Sequence, residues 1–413
     1  MKLKLNILLV AFATVLCGGL SSCSDDDFTS TIFDTTDYPL NRSTYSFPLD
    51  TFLKVNYLEP YNLKFIYKME DIGSDMNKNL TPASYEKSVE LAVLSKYLWY
   101  DVYKKCGSVL FLKKHSPRII HVIGSKNYNV SQGTEVLGVA EGGLKITLYN
   151  TNNLNVNDLD MMNNYFFRTM HHEFTHILDQ THLHPTDFNI LSQGHYNSEW
   201  TDVPDSISAG NGFVSSYASS NTSEDWAETM SHYITRDQQS WDMLLNSASY
   251  DWEEVDCANE TAYQKLFTPG CDIDTIGYYK SSESGQNKVY RRMCVRDVNG
   301  YVVLNDNGEV QWTHTSGVDG RQLILSKVGL VKKWLQDYYG INIDDLRTEV
   351  QKRQYLTNSD GTFVTYPTTN QYGKGCVIYV NRLTQPADED PSVTLIEYLK
   401  REVSQYESLM TQP

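Results

Sequence analysis

The segment from Asp158 to Thr181 most restricts the fold of this chain, because it predicts a long helix with two unlike faces. Apolar residues recur in it at steps of three and four, the spacing of a helix that packs one face on a core. Asn157 or Asp158 can cap its start, and Pro185 limits its extension. The apolar positions are Leu159, Met162, Phe166, Met170, Phe174 and Ile177. We therefore expect one side of this helix to face the core and the other to face a cleft.

The side opposite the apolar positions carries an HExxH motif, His172-Glu173-Phe174-Thr175-His176. Two imidazoles four residues apart lie one turn apart on the same face of a helix, so both can reach one zinc ion. The neighbouring Glu173 can contact a metal-bound water and accept its proton. Histidines that merely fill a core would lie among the apolar positions, and these two do not. The motif thus predicts a metal site with His172 and His176 as ligands and Glu173 as general base.

A catalytic zinc ion needs a third protein ligand and an open fourth position, and the sequence offers two candidates. His182 lies ten residues after His172, as in the metzincin pattern HExxHxxGxxH, but Asp179 stands where that pattern has glycine. A helix that continues to Thr181 would also turn His182 away from the ligand face by roughly 80–120°. The other candidate is Glu224, which we favour, with His182 as the alternative.

Glu224 and Glu228 share one face of a second predicted helix, which starts near Ser223 and carries Trp226 on its other face. Glu228 can accept a hydrogen bond from a ligand histidine and hold its ring in place. The alternative is an exposed acidic face that the helix dipole stabilises. Tyr217, seven residues before Glu224, can donate a hydrogen bond to the oxyanion of a tetrahedral intermediate. Its alternative is a surface or packing tyrosine.

The rest of the chain predicts an α+β fold. The expected elements are strands at 62–69, 118–123 and 136–149, a helix at 85–105, a hairpin at 301–312, helices at 323–339 and 343–353, and a final helix after a linker at 386–391. We expect the strand at 144–148, just before the long helix, to be the sheet edge on which an extended substrate pairs.

The net charge argues against nucleic acid as a partner, and the cysteine spacing argues against a thiolate zinc site. The formal charge is -16, from 35 Lys and Arg against 51 Asp and Glu. Phosphate binding needs clustered Lys and Arg, so nucleic acid is not an expected partner. No Cys-x-x-Cys spacing occurs, so a thiolate zinc site is not expected either.

Residues 1–22 predict an export signal, because Lys2 and Lys4 precede an apolar stretch too short to span a bilayer. The following Leu20-Ser21-Ser22-Cys23 resembles a lipobox, the cleavage and acylation site of bacterial lipoproteins. That resemblance implies that Cys23 carries a lipid and attaches the protein to the outer membrane. The alternative is a secreted protein that is cleaved near Cys23.

An acidic run follows the lipobox, and residues 23–45 are expected to form a flexible tether. The run resembles the signal that sends lipoproteins of Bacteroidota to the outer face of the outer membrane. It therefore implies exposure at the cell surface.

The lipobox, the HExxH helix and the segment from Gly212 to Glu228 together resemble a family of zinc-binding metallopeptidase lipoproteins that accompany SusC/SusD-type import systems. The pairing of HExxH with Glu-x-x-x-Glu is similar to that of gluzincin peptidases. The resemblance covers about 46–356, within which 241–320 is expected to be an insertion, and 357–413 a C-terminal extension. It implies a zincin-like fold, with a mixed sheet packed on the active-site helix and a helical second subdomain.

The same resemblance implies a function and its partners. Zn²⁺ would be held by His172, His176 and Glu224, and the substrate would be a peptide or protein whose peptide bond is hydrolysed. A SusC/SusD-type transporter would be a further partner. One alternative is a surface binding lipoprotein with a non-catalytic zinc site, which captures peptide or glycan for a TonB-dependent importer. Another is an enzyme of different chemistry, such as a glycan deacetylase.

Overall fold

The structure is a computed structural model that describes a large part of the chain. The described residues are 40–69, 80–129, 134–141, 144–257, 275–280, 287–299, 302–313, 316–368 and 376–411. The predicted export signal and Cys23 lie outside these residues. Within them, no helix combines the length and the apolar character needed to cross a membrane.

Helices dominate the described residues, and the strands are short. The helices are α1 (Phe47–Leu53), α2 (Glu59–Tyr61), α3 (Tyr85–Ser95), α4 (Asp101–Cys106), α5 (Val109–His115), α6 (Leu159–Met162), α7 (Arg168–Thr181), α8 (Thr186–Leu191), α9 (Asp205–Gly210), α10 (Thr222–Thr235), α11 (Gln238–Ser247), α12 (Gly320–Tyr339), α13 (Ile343–Gln354) and α14 (Leu395–Ser404). The strands are β1 (Lys64–Ile66), β2 (Ile119–Val122), β3 (Asn127–Asn129), β4 (Thr134–Val136), β5 (Gly138–Glu141), β6 (Lys145–Leu148), β7 (Trp252–Cys257), β8 (Thr275–Lys280), β9 (Asn287–Arg292), β10 (Thr365–Pro367) and β11 (Val377–Tyr379). This mixture of helices and small sheets agrees with the predicted α+β class.

The predicted long helix is confirmed. Asp158 caps its start by accepting a hydrogen bond from the Met161 backbone N–H. α6 leads through a π-helical turn (Asn163–Phe167) into α7, which ends at Thr181. Most of the apolar positions are buried, namely Met162, Phe166, Met170, Phe174 and Ile177, whereas Leu159 is only partly buried. The apolar side therefore packs in the core, as its spacing predicts.

The main sheet is mixed, with strand order β1-β2-β6-β5. β1, β2 and β6 are parallel, and β5 runs antiparallel to β6. The prediction that residues 144–148 form the edge of the sheet is wrong. The chain reverses between β5 and β6, so β5 covers that side of β6 while β2 covers the other. Within the described sheet, the edge strand on this side is β5.

The described apolar residues form two clusters. The larger one joins the sheet, the long helix and α10 to the C-terminal helix α14. The smaller one is built by helical segments around α9, α11 and the start of α12. In the predicted insertion, an antiparallel bridge between Leu304 and Val310 closes a turn at 305–308, although Tyr301 lies outside the described residues.

Candidate metal centre

Two helices position the predicted ligands. α7 and α10 pack along each other in opposite directions, so that Ser223 lies beside His176 while Glu228 lies beside His172. The start of α10 is held by Asn221, whose side-chain oxygen accepts hydrogen bonds from the Ser223 and Glu224 backbone N–H groups. The cap fixes where the first turn of α10 begins, and Glu224 stands in that turn.

Three predicted ligand atoms lie close together and form a triangle. His172 Nε2 lies 3.0 Å from Glu224 Oε2 and 3.1 Å from His176 Nε2, and the third side of this triangle, from His176 Nε2 to Glu224 Oε2, is 3.3 Å. A tetrahedral zinc site with bonds of about 2.0–2.1 Å has ligand–ligand distances of about 3.3–3.4 Å. The triangle therefore fits one face of such a tetrahedron, and the His-His-Glu donor set is one that zinc uses in catalytic sites.

Glu228 orients the ring of His172 through its Nδ1 atom, on the side of the ring away from the predicted metal position. Its Oε1 accepts from His172 Nδ1 at 2.8 Å, and its Oε2 accepts from Ser215 Oγ at 2.6 Å and from His232 Nε2 at 3.0 Å. Arg236 Nε donates to His232 Nδ1 at 2.9 Å, which leaves the His232 proton on Nε2. With Nδ1 donating to Glu228, His172 presents Nε2 to the predicted metal position.

The charges of this cluster depend on one another. Burial lowers the pKa of His172, but hydrogen bonds to Glu224 and Glu228 outweigh it and raise this pKa to about 10. Burial raises the pKa of the Glu224 and Glu228 carboxyls. Their interactions with histidines outweigh this effect of burial and hold both pKa values below the usual range. Both carboxylates are therefore ionised, and His172 is protonated when no metal ion is bound.

The remaining predicted catalytic residues lie beside the triangle. Glu173 is 7% exposed and lines the same cavity as the three ligand atoms. The Tyr217 ring lies 6.0 Å from the His172 ring, centroid to centroid, and packs edge-on against Trp200 at 4.9 Å. Burial, the charge of Glu224 and a hydrogen bond to Glu224 raise the pKa of Tyr217, so its phenol stays protonated and can donate.

These residues line an open cavity of about 740 Å³. Its walls are α7, the segment 135–138 that leads into β5, the loop that carries Trp200 and Tyr217, and the first half of α10. A Cβ atom on Gly138 would lie 2.2 Å from Thr169 Cγ2, so only glycine lets the chain approach α7 this closely. The edge strand β5 therefore begins directly beside the metal-binding helix.

His182, the alternative third ligand, is not in this group. α7 ends at Thr181, and His182 has an extended backbone conformation. Its ring stacks on Tyr338 at 4.6 Å, and its carbonyl oxygen accepts a hydrogen bond from Trp334 Nε1. Of the described residues, those that line the cavity do not include His182.

Some residues of the site were missed by sequence reasoning. His232 could have been found, because it lies four residues after Glu228 on the same helix face that carries Glu224. Ser215 and Trp200 lie outside the longer helices, so no periodic spacing of residues predicts their contacts. Ser215 contacts Glu228, and Trp200 contacts Tyr217.

Comparisons with known proteins show which family this chain belongs to. A family model described as "Putative zinc-binding metallo-peptidase" matches residues 43–344. The chain belongs to this family. It is also similar to the crystal structure of a putative zinc-binding metallo-peptidase from Bacteroides caccae, with 30% sequence identity and a TM-score of 0.52. That match covers 74% of this chain and 91% of the other. No curated protein sequence matches the chain.

Proposed function

We propose that this protein is a zincin-type, zinc-dependent peptidase that hydrolyses peptide bonds. The observation that carries the proposal is the triangle of His172 Nε2, His176 Nε2 and Glu224 Oε2, with sides of 3.0–3.3 Å, at the wall of an open cavity. Family membership supports the choice of zinc. The lipobox at Cys23 and the acidic run after it support attachment to the outer face of the outer membrane. The resemblance to lipoproteins that accompany SusC/SusD-type import systems supports such a transporter as a partner.

Glu173, Tyr217 and Glu228 have different roles in the proposed reaction. A zinc ion at this position would supply a Lewis acid that polarises the substrate carbonyl and acidifies water. Glu173 accepts the proton of the attacking water and then returns it to the leaving amine nitrogen. Tyr217 donates a hydrogen bond to the carbonyl oxygen as negative charge develops on it. Glu228 keeps His172 oriented throughout.

The edge strand β5 offers a place for the substrate backbone. Its partner β6 lies on one side only, and β5 begins beside α7 at Gly138. An extended peptide that pairs with this edge would pass along the cavity in which Glu173 lies.

The substitution Glu173→Gln tests the proposal, because it removes the base and keeps the shape of the side chain. We expect the variant to bind one equivalent of zinc and to cleave peptides at least about 100-fold more slowly than the wild type. Zinc content is measured by mass spectrometry of the metal, and cleavage by mass spectrometry of a mixed peptide library. Glu86→Gln, a change of the same kind at an exposed position of α3, is the matched control.

Two outcomes would contradict parts of this proposal. Full activity of Glu173→Gln with zinc bound removes Glu173 from the role of base. A zinc-loaded wild type that binds library peptides and returns them uncleaved supports the alternative of a surface binding lipoprotein.

A further inference from the structure

One cation in the cavity has no part in the chemistry proposed above. Arg168 is the first residue of α7 and lies one helical turn before His172, so the two side chains share a face. Arg168 lines the same cavity as the three predicted ligands. Among the described residues that line it, Arg168 is the single lysine or arginine.

The register of the two helices explains why no carboxylate of the described residues pairs with this guanidinium. Along α7 and α10, His176 meets Glu224, and His172 meets both Glu224 and Glu228. One turn further on, the charge of Arg168 acts on His232, which already donates to Glu228 and accepts from Arg236. In the part of the chain that the structure describes, the Arg168 side chain has no ion pair and no hydrogen bond.

A second guanidinium makes this end of the cavity more positive. Burial, together with the nearby charge of Arg168, lowers the pKa of Arg236 to about 10. The carboxylates of Asp205 and Glu228 act on Arg236 in the opposite direction. Asp205 also accepts a hydrogen bond from the Ser216 backbone N–H at 2.7 Å. An anion that entered beside Arg168 would therefore relieve the repulsion between the two guanidinium groups.

We propose that Arg168 is a specificity residue that binds a carboxylate of the substrate close to the metal centre. The proposal rests on the proposed peptidase function, because it assigns a substrate class to the same cavity. A planar guanidinium with free donors binds a carboxylate through two parallel hydrogen bonds. The preferred substrate therefore has a carboxylate within a few residues of the cleaved bond. This group is either an Asp or Glu side chain or the free C-terminus of the peptide.

The other charges of the cavity favour a single carboxylate over a larger anion. Besides the predicted ligand Glu224, the lining carries the carboxylates of Glu135, Glu173, Asp179, Asp205 and Glu228, and Glu135 is paired with Lys126 at 3.0 Å. Acidic groups at the wall repel a polyanion such as a nucleic acid or a polyphosphate. One negative charge placed at Arg168 is repelled less than the several charges of a polyanion would be.

Affinity selection from a defined peptide library tests this proposal without requiring turnover. The library contains hexapeptides that carry Glu or its uncharged counterpart Gln at each position, made both as free acids and as C-terminal amides. Zinc-loaded Glu173→Gln protein, with Arg168 intact or replaced in Arg168→Gln, is mixed with the library, and bound peptides are identified by mass spectrometry. Arg321→Gln removes the same charge at an exposed position of α12 and is the matched control.

We expect peptides with a carboxylate to be enriched about ten-fold or more over their amide counterparts. The enrichment should disappear in Arg168→Gln and persist in Arg321→Gln. Enrichment of Glu over Gln identifies a side-chain carboxylate, and enrichment of free acids over amides identifies the C-terminus. Absent binding, equal binding of both forms, or enrichment that survives Arg168→Gln overturns the proposal. If binding depends on Arg168 but the wild-type protein cleaves no peptide, the carboxylate-binding site is supported and the proposed peptidase activity is contradicted.

Discussion

Each predicted ligand residue is already held by a neighbour. His172 donates to Glu228 at 2.8 Å, Ser223 Oγ lies 3.4 Å from His176 Nδ1, and the backbone N–H of Glu224 donates to the capping side chain of Asn221 at 3.1 Å. Side chains that are held in this way lose little conformational entropy when a metal ion binds. The affinity of the site should therefore depend strongly on each ligand.

The substitution Glu224→Ala should weaken zinc binding more than about 100-fold, because it removes one of three ligand atoms. His182→Ala should leave the affinity within about three-fold of the wild type, since the His182 ring stacks on Tyr338 outside the cavity. Competition with a chromophoric chelator measures both values. Strong loss in His182→Ala, with affinity kept in Glu224→Ala, would assign the third ligand the other way round.

Zinc binding should release about one proton near pH 7. The pKa of His172 is raised to about 10 without metal, so the ring is protonated at pH 7, whereas a ligand imidazole must be neutral. The proton must therefore leave, and the affinity for zinc should rise as the pH rises. Calorimetric titrations in two buffers of different ionisation enthalpy count the released protons. Release of none would show that His172 is neutral before zinc binds.

Among the helices, a buried ion pair fixes α10 against α12. Lys327 Nζ lies 2.6 Å from Asp225 Oδ2 and 2.7 Å from the Gly212 carbonyl oxygen, and both charged side chains are fully buried. Burial raises the pKa of Asp225 to about 6 and lowers that of Lys327, so the attraction between the two charges offsets only part of a large desolvation cost. Asp225 follows Glu224 directly, so this pair also sets the position of the predicted third ligand.

The substitution Lys327→Met should lower the free energy of unfolding by about 3–5 kcal/mol, because it leaves the Asp225 charge buried without its partner. Lys333→Met, which breaks an exposed pair with Asp337 on the same helix, should lower it by no more than about 1 kcal/mol. Urea unfolding measures both. In the double variant Asp225→Asn/Lys327→Met the loss should be smaller than the sum of the two single losses. Additive losses would mean that the two residues do not depend on each other.

Elements with a strong internal period could be predicted from the sequence, and contacts between distant segments could not. The apolar spacing that ends at Ile177 predicts α7, and Glu224 and Glu228 at i and i+4 predict the acidic face of α10. The order of strands in a sheet depends on which distant segments pair, so the position of β6 inside the sheet was missed. The contact of Ser215 with Glu228 depends on a loop conformation that no period specifies.

In the molecule as a whole, the C-terminal segment contributes to the main core. α14 packs against α3 and α1, and its residues Leu395, Leu399 and Val403 belong to the same apolar cluster as the long helix. Lys400 adds an ion pair with Glu90 of α3 at 3.3 Å. The stability of the metal centre is therefore linked to residues far from it in the sequence.

The substitution Leu399→Ala should lower the free energy of unfolding by about 2–5 kcal/mol, because it leaves a cavity between α14 and α3. Leu409→Ala should change it by less than about 0.5 kcal/mol, since the Leu409 side chain is 47% exposed. Both are measured by denaturant unfolding of the whole chain. Equal effects of the two substitutions would show that α14 does not share the core.

The triangle of ligand atoms bears on how the protein matures. α7 and α10 are held by the apolar core and by the Asp225–Lys327 pair, and a proton on His172 balances the carboxylates until metal arrives. We therefore expect folding and metal uptake to be separate events, unlike in small zinc domains that fold only around their ion. The polypeptide can complete its tertiary structure first and acquire its cation afterwards, from whatever compartment it has reached.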